Sequence, residues 1–273
     1  MHIGGQAVME GVMLKSEKKV AVAVRLLKTK KIKVKAQKVK QVPTVFKIPF
    51  IRGIYVLIDS LIIGLDALIW SSNQNLDNEE KIKKSEFVLT LLISLLIGLG
   101  IFLGIPYLVT RFLLHLGIWF SLVEGLIRIC LFLGYILLIG RSKEVQRLFQ
   151  YHGAEHKVVN CYESGEKVTV KNVRKYPTLH ARCGTSFIFV VLILSVLIFS
   201  FLEVGWLRLL WKLLLIPVIA GISYEILKLG DRFKGNCLIR GLVWPGLMLQ
   251  KITTKQPNDQ QIEVAIKAFE KVI

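Results

Sequence analysis

FVLTLLISLLIGLGIFLGIPYLV, residues Phe87 to Val109, is a run of 23 residues without a charged side chain. A helix rises about 1.5 Å per residue, so this run is long enough to cross the ~30 Å hydrocarbon core of a bilayer. The whole chain is similarly apolar, since 53% of its residues are hydrophobic and its mean hydropathy is +0.54. Ordinary soluble domains are less apolar than this. We therefore expect a mainly α-helical integral membrane protein.

Three further apolar runs predict three more transmembrane helices, which makes about four in total. They are Leu113–Ile139, Ser186–Leu202 and Leu207–Leu227. The first of these contains Glu124 and Arg128, which are four residues apart and so share one face of a helix. Charged groups inside a membrane are rare unless they are paired or functional. Two interpretations stay open for this pair, a structural ion pair and a transport pathway.

Lysine and arginine are concentrated in three segments, and this distribution predicts the topology. Residues 14–47 contain twelve of them, residues 141–185 contain nine, and residues 228–273 contain eight. Cytoplasmic loops are enriched in these residues, so both termini and the loop between the second and third spans are placed in the cytoplasm. The net charge of +18 then indicates contact with anionic lipid headgroups. Nucleic acid is not expected as a partner, because no nucleic-acid-binding motif accompanies the charge.

An additional apolar segment, residues 48–72, is predicted to be an amphipathic interfacial or re-entrant helix. Its charged residues Arg52, Asp59 and Asp66 are spaced by seven and form one stripe on a helix. A fifth span would move one of the basic segments to the outside, against the positive-inside rule.

The N-terminal segment, residues 1–47, is predicted to be a small cytoplasmic β subdomain. Apolar and basic residues alternate on either side of Lys28-Thr29-Lys30, which predicts a β-hairpin with one basic face. The glycine-rich stretch Gly4–Gly11 ahead of it is a strand or a turn. The other domains follow from the spans: 87–140 with helices 1–2, 141–185 as a cytoplasmic loop, 186–227 with helices 3–4, and 228–273 as a cytoplasmic C-terminal tail.

The cytoplasmic loop contains residues with metal chemistry. In His152-Gly-Ala-Glu155-His156, the two imidazoles are one helical turn apart and can reach one cation. This H-x-x-E-H order is the inverted zincin motif, and it assigns Glu155 as the catalytic base toward water. His180 and Cys183, just before the third span, offer further ligands.

Glu225 lies near the cytoplasmic end of the fourth span, so the topology brings its carboxylate to the same membrane surface. We therefore predict a site for a divalent metal, most simply zinc. The predicted ligands are His152, His156, His180, Cys183 and Glu225.

Each of these residues also has a structural explanation, so the function stays open. Cys183 fits a small buried thiol, and Glu225 has Lys228 and Arg232 as possible ion-pair partners. The first hypothesis is a metal-dependent hydrolase that acts at the cytoplasmic membrane surface on a lipid or a membrane-bound peptide. The alternative is a non-catalytic membrane factor with a structural metal site, and a weaker alternative is a transporter that uses Glu124 and Arg128.

The chain resembles the bacterial YqhQ-like family of membrane proteins. Motifs spread along the chain carry the resemblance: GGQAVMEGVM at Gly4–Met13, YHGAEHKVVNCYE at Tyr151–Glu163, HARCGTSF at His180–Phe187 and PGLMLQKITT at Pro245–Thr254. The family usually has HPRC where this chain has His180-Ala181-Arg182-Cys183, a change at a position without a ligand. The resemblance implies a multi-pass bacterial inner-membrane protein with a metal centre, and members are described as predicted metal-dependent enzymes. It implies no substrate.

Overall fold

A computed structural model describes residues 3–39, 48, 51–113, 118–202, 207–232 and 237–273. In these ranges the chain is mainly helical, with a small antiparallel sheet at its N-terminal end, which confirms the predicted fold class at this level. The histidines His2 and His115 lie outside the described ranges. The α-helices in them are α1 (Ile51–Ser72), α2 (Lys84–Leu99), α3 (Ile105–Leu113), α4 (Ile118–Ile139), α5 (Lys143–Glu163), α6 (Val170–Val173), α7 (Gly184–Phe199), α8 (Leu207–Arg232), α9 (Cys237–Thr253) and α10 (Asp259–Val272).

The N-terminal sheet has four strands, two more than the predicted hairpin. They are β1 (Gly4–Val8), β2 (Gly11–Lys15), β3 (Lys19–Arg25) and β4 (Ile32–Lys38), and each is antiparallel to the next in the order β1-β2-β3-β4. The predicted hairpin is β3–β4, and Lys30 in its turn has a φ of 59°. The glycine-rich stretch forms β1, a turn and β2, so it is both strand and turn.

One face of the sheet packs against α5 and α10. The core there joins Leu14 of the sheet to Tyr151 and Val158 of α5 and to Ile262 and Phe269 of α10. Apolar residues spaced by three and four along α10 make one stripe, which is buried. The predicted C-terminal tail therefore contains two helices, α9 and α10, and α10 completes the core of the N-terminal sheet.

The opposite face of the sheet packs against α1. The hydrophobic cluster on this face contains Val20, Val22 and Val24 of β3. The side chains of α1 in the cluster or packed against it are Ile63, Ala67, Leu68 and Trp70. Asp59, one of the three charged residues in the predicted stripe of α1, forms an ion pair with Lys15 of β2 at 2.5 Å. The C-terminal half of α1 thus lies along the sheet subdomain.

Four helices of the described residues are long and apolar enough to cross a membrane: Arg52–Ser72, Lys84–Leu113, Trp119–Ile139 and Leu207–Gly230. Lys84–Leu113 joins α2 and α3 through a π-helical turn at Gly100–Gly104. The number of these candidate helices equals the predicted number of spans, but they are not the same four segments. The predicted span Ser186–Leu202 corresponds to α7, which has only 16 residues, whereas α1 meets the length and composition criteria although its charge pattern predicts an interfacial helix.

The predicted ion pair of α4 is present and belongs to a larger cluster. Arg128 donates to Glu124 at 2.6 Å, and Arg208 and Lys212 of α8 also pair with this carboxylate. All four side chains are at most 3% exposed, and backbone carbonyls and hydroxyls accept the remaining guanidinium hydrogens. The cluster ties α4 to α8, as a buried charge needs partners.

Candidate metal centre

Helix α5 carries the H-x-x-E-H motif into the interior of the protein. Ser142 caps this helix by accepting a hydrogen bond from the backbone of Val145. Further along the helix, Glu155, His156 and Lys157 follow one another and are all buried. A buried polar side chain is destabilising unless it has hydrogen-bonding partners. Three consecutive buried polar residues therefore indicate a polar site with specific partners and not a hydrophobic core.

Side chains of α5 also fix the loop that follows α6. Lys157 Nζ donates to the carbonyl oxygens of Arg174 and Tyr176, at 3.0 and 2.6 Å. Asn160 Nδ2 donates to two more carbonyl oxygens, those of residues 177 and 179, both at 3.0 Å. These bonds place the intervening carbonyl of Thr178, and His180 after it, beside the motif.

His152, His156 and Cys183 come together in one group. Their ligand atoms all lie within 4.8 Å of one another, and His152 Nε2 is 3.2 Å from Cys183 Sγ. Around a tetrahedral zinc ion with Zn–N bonds of ~2.0–2.1 Å and Zn–S bonds of ~2.3 Å, two nitrogens lie ~3.3 Å apart and a nitrogen lies ~3.6 Å from a sulfur, so the widest pair of ligand atoms would have to close by up to about 1.5 Å to bind an ion. Two imidazole nitrogens and a thiolate sulfur are donors that zinc accepts. The three residues therefore fit a zinc-type ion.

Both imidazoles are oriented by backbone carbonyls. His152 Nδ1 lies 2.9 Å from the carbonyl oxygen of Thr253, at the end of α9, and His156 Nδ1 lies 2.5 Å from that of Thr178. A carbonyl only accepts hydrogen bonds, so each Nδ1 carries a proton, and in the neutral imidazole Nε2 is then the atom with the free lone pair. Histidines that bind metals typically have their second nitrogen held in this way. The sequence motif reveals neither Thr178 nor Thr253, because both act through backbone atoms.

Gly153, between the two ligands of α5, permits the close approach of the chain after α9. A Cβ at this position would lie 2.1 Å from the carbonyl oxygen of Lys255. In return the Lys255 amide donates to the carbonyl of Phe149 at 2.9 Å. This contact keeps the Thr253 carbonyl within hydrogen-bonding distance of His152. The glycine of the motif therefore allows the backbone approach that orients this imidazole.

Glu155, the predicted base, is buried beside this group. Its Oε2 lies 3.4 Å from His156 Nε2, and its side chain is 6% exposed. Burial raises the pKa of the Glu155 carboxyl, and the nearby His152 and His180 oppose that rise. Gly5 of β1 closes over it, since a Cβ there would lie 3.2 Å from Glu155 Cγ. The GGQAVMEG stretch thus contributes a wall of the site.

His180 lies next to the group but does not belong to it. Its ring centroid is 5.7 Å from that of His156, and its Nε2 is 3.4 Å from Glu163 Oε2. Gln250 of α9 fixes its backbone by bonding to both its amide and its carbonyl, each at 2.9 Å. Its ring nitrogens are not among the ligand atoms that lie within 4.8 Å of one another, so its role as a metal ligand stays a prediction.

Glu225, the predicted carboxylate ligand, forms an ion pair with Arg52. Arg52 of α1 binds it through two N–H groups, and the bond from Nε to Oε1 measures 2.7 Å. A bidentate guanidinium satisfies both carboxylate oxygens, so the ion pair that holds α1 on α8 takes the place of metal binding. The sequence suggests Lys228 or Arg232 as its partner, since Arg52 is remote along the chain.

A cavity of about 580 Å³ opens in front of the group. Glu155, His156 and Cys183 line it together with His180. Arg182 and Lys228 add two cationic side chains that the sequence motifs do not single out. The remaining wall is apolar and comes largely from α1, α7 and α8. The arrangement can hold a molecule against two of the three potential ligands, His156 and Cys183, and against the buried carboxylate of Glu155.

Comparisons with known proteins agree with the motifs. Residues 48–273 match the family model described as "Protein of unknown function (DUF1385)". The chain is 36% identical over 292 residues to "Uncharacterized protein YqhQ" of Bacillus subtilis (strain 168), an alignment that covers 99% of this chain and 92% of the relative. No solved structure matches the chain. The predicted family is confirmed: the chain belongs to the YqhQ-like family of DUF1385 proteins.

Proposed function

We propose that the protein is a metal-dependent hydrolase of the membrane surface, with zinc or a similar divalent ion held by His152, His156 and Cys183. The observation that carries the proposal is that the ligand atoms of His152, His156 and Cys183 lie within 4.8 Å of one another, with both Nδ1 atoms bonded to carbonyl oxygens. Three protein ligands leave one position open, as in catalytic zinc sites.

The chemistry divides between the ion and the protein. A bound ion polarises a carbonyl or phosphoryl oxygen and makes water a better nucleophile. Glu155 accepts the proton from that water, since its carboxylate borders both His156 and the cavity. The buried surroundings of Glu155 exclude bulk water, so its proton transfer is confined to the bound reactant.

The proposed location is the cytoplasmic side of a bacterial cell membrane, with both termini inside. Three long apolar helices, Lys84–Leu113, Trp119–Ile139 and Leu207–Gly230, and the shorter apolar helix Gly184–Phe199 supply four spans, an even number that keeps both termini on one side. The basic segments indicate that this side is the cytoplasm. The substrate is then a lipid or a membrane-bound peptide, because residues of the sheet subdomain and of α1, α7 and α8 line the cavity. Anionic headgroups are the expected partners of the basic surface.

A second candidate is a non-catalytic membrane factor with a closed, structural metal site. The observation in its favour is the position of His180, whose ring lies 5.7 Å from that of His156. If that ring left Glu163 and turned toward the group, His152, His156, His180 and Cys183 would form a four-ligand shell without an open position. The two candidates make different predictions for Glu155 and His180.

Metal content and turnover of single variants separate the candidates. Purified wild-type protein should contain about one zinc or similar ion per chain. In a hydrolase, Glu155→Gln keeps the metal and abolishes release of fatty acid or headgroup from vesicles of bacterial membrane lipids, while His180→Ala keeps the metal. In a structural site, Glu155→Gln is nearly silent and His180→Ala loses the metal.

Two further variants serve as reference points. His156→Ala should lose the metal under both candidates, because it removes a ligand of either shell. Glu166→Gln, an exposed carboxylate in the loop after α5, should retain wild-type metal and turnover. Wild-type protein without stoichiometric metal would overturn both candidates.

A further inference from the structure

The cavity in front of the metal centre has apolar as well as polar lining. Val56 and Leu57 come from α1, Phe187 from α7 and Leu227 from α8. These side chains line the same space as Glu155 and Cys183. A small polar metabolite would leave this wall uncovered, whereas a molecule with a hydrocarbon part would cover it.

The apolar wall continues onto the outside of the protein through α1. Leu57, Ile58, Leu61 and Ile62 are between 38% and 57% exposed, and they follow one face of the helix at spacings of one, three and four. The other face of α1 packs on the sheet. Since Leu57 belongs both to the exposed face and to the cavity, the two apolar surfaces are continuous.

A face of this kind is what an interfacial helix presents to the bilayer. A hydrocarbon layer would cover the exposed leucines and isoleucines, while Asp59 and the sheet stay on the aqueous side. The cavity then borders the inner leaflet along α1 and α8. A lipid chain would pass from the leaflet into the cavity without crossing water.

The rim of the cavity carries positive charge. Lys228 lines it next to Leu227, and its ammonium forms no ion pair with any residue in the described part of the chain. Glu225, one turn before it on α8, is bound by Arg52 instead. The second cation at the cavity, Arg182, is paired with Glu163. Lys228 is therefore the group that favours an anion at this rim.

We propose that the substrate of the hydrolase is an anionic amphiphile of the inner leaflet, which reaches the centre between α1 and α8. Its hydrocarbon part packs on Val56, Leu57, Phe187 and Leu227. Its phosphate or carboxylate group binds Lys228, which places the adjoining ester or amide toward the metal ligands and Glu155. The inference rests on the proposed function for the reaction but not for the binding.

Binding of short-chain lipids to the full-length protein tests it. The protein is solubilised in a neutral detergent, treated with chelator, and titrated with dihexanoyl phosphatidic acid, dihexanoyl phosphatidylcholine or inorganic phosphate. We expect phosphatidic acid to bind at least about five-fold tighter than phosphatidylcholine, as one lysine near a lipid charge contributes this much. Lys228→Gln should remove that preference, and Leu57→Ser should weaken binding of both lipids.

Lys251→Gln is the matched control, because Lys251 is an exposed lysine on α9 away from the cavity. It should leave the preference for phosphatidic acid unchanged. Equal affinity for the two lipids, an unchanged preference in Lys228→Gln, or inorganic phosphate binding as tightly as phosphatidic acid would each overturn the inference. Because these titrations use metal-free protein, their failure leaves the metal proposal standing, and absence of metal leaves the lipid result standing.

Discussion

An alanine at position 153 should loosen the metal centre without altering a metal ligand. Its Cβ would lie 2.1 Å from the carbonyl oxygen of Lys255, whereas real Cβ atoms essentially never come closer than 3.0 Å. Helix α5 and the chain after α9 must therefore separate by about 0.9 Å. The oxygen belongs to the main chain and the position of the Cβ is fixed by the backbone of residue 153, so no side-chain rotation can relieve the overlap.

The separation would stretch two hydrogen bonds that now measure 2.9 Å, from Lys255 N to Phe149 O and between His152 Nδ1 and Thr253 O. Each hydrogen bond contributes about 0.5–1.5 kcal/mol, and overpacking costs about 1–3 kcal/mol. We expect Gly153→Ala to lose about 2–6 kcal/mol of stability. For a chain of this size the apparent unfolding midpoint should fall by about 4–24 °C.

Thermal unfolding of the detergent-solubilised protein, followed by tryptophan fluorescence, measures the midpoint, and elemental analysis of the same samples measures metal. Gly134→Ala is the matched control, because Gly134 is also inside a helix but an added Cβ meets no atom within 4 Å. That variant should be neutral or more stable by up to about 1 kcal/mol. A Gly153→Ala protein with the wild-type midpoint and metal content would refute the argument from close approach.

Three other substitutions test particular contacts. Glu225→Gln should leave metal content unchanged but destabilise the protein by about 1–3 kcal/mol, because it breaks the pair with Arg52; loss of metal would contradict the placement of this carboxylate. Glu124→Gln should lower the unfolding midpoint strongly, since it leaves three buried cations without their counter-charge at a cost of about 3–5 kcal/mol; a midpoint like that of Glu166→Gln would argue against the cluster. Cys183→Ser should lower zinc affinity at least about ten-fold, measured by competition with a chelator, and unchanged affinity would exclude the sulfur as a ligand.

The candidate site could be predicted in part from the sequence. His152 and His156 share a helical face, so their proximity follows from spacing alone. Cys183 joins them because the loop before α7 is bound to α5 by Lys157 and Asn160, which spacing does not reveal. His180 lines the cavity and Glu225 lies on α8 next to Tyr224, which also lines it, but neither belongs to the group of His152, His156 and Cys183. Each has a closer partner of opposite or complementary charge, and such pairs depend on distances below about 4 Å.

The composition and the periodicity of the chain by themselves determined its mainly helical class, its apolar helices and the β3–β4 hairpin, and its motifs indicated the family. These properties are local or statistical, because hydrophobic runs and alternation express the solvent that each segment must meet. Only the tertiary structure decided that α10 closes the N-terminal sheet, that α1 lies along the sheet with one face exposed, and that backbone carbonyls of Thr178 and Thr253 orient the imidazoles. Those contacts join residues about 20 to more than 200 positions apart, which local patterns do not connect. The two carbonyls have a further reason, because main-chain atoms are the same for every amino acid and no side-chain pattern encodes them.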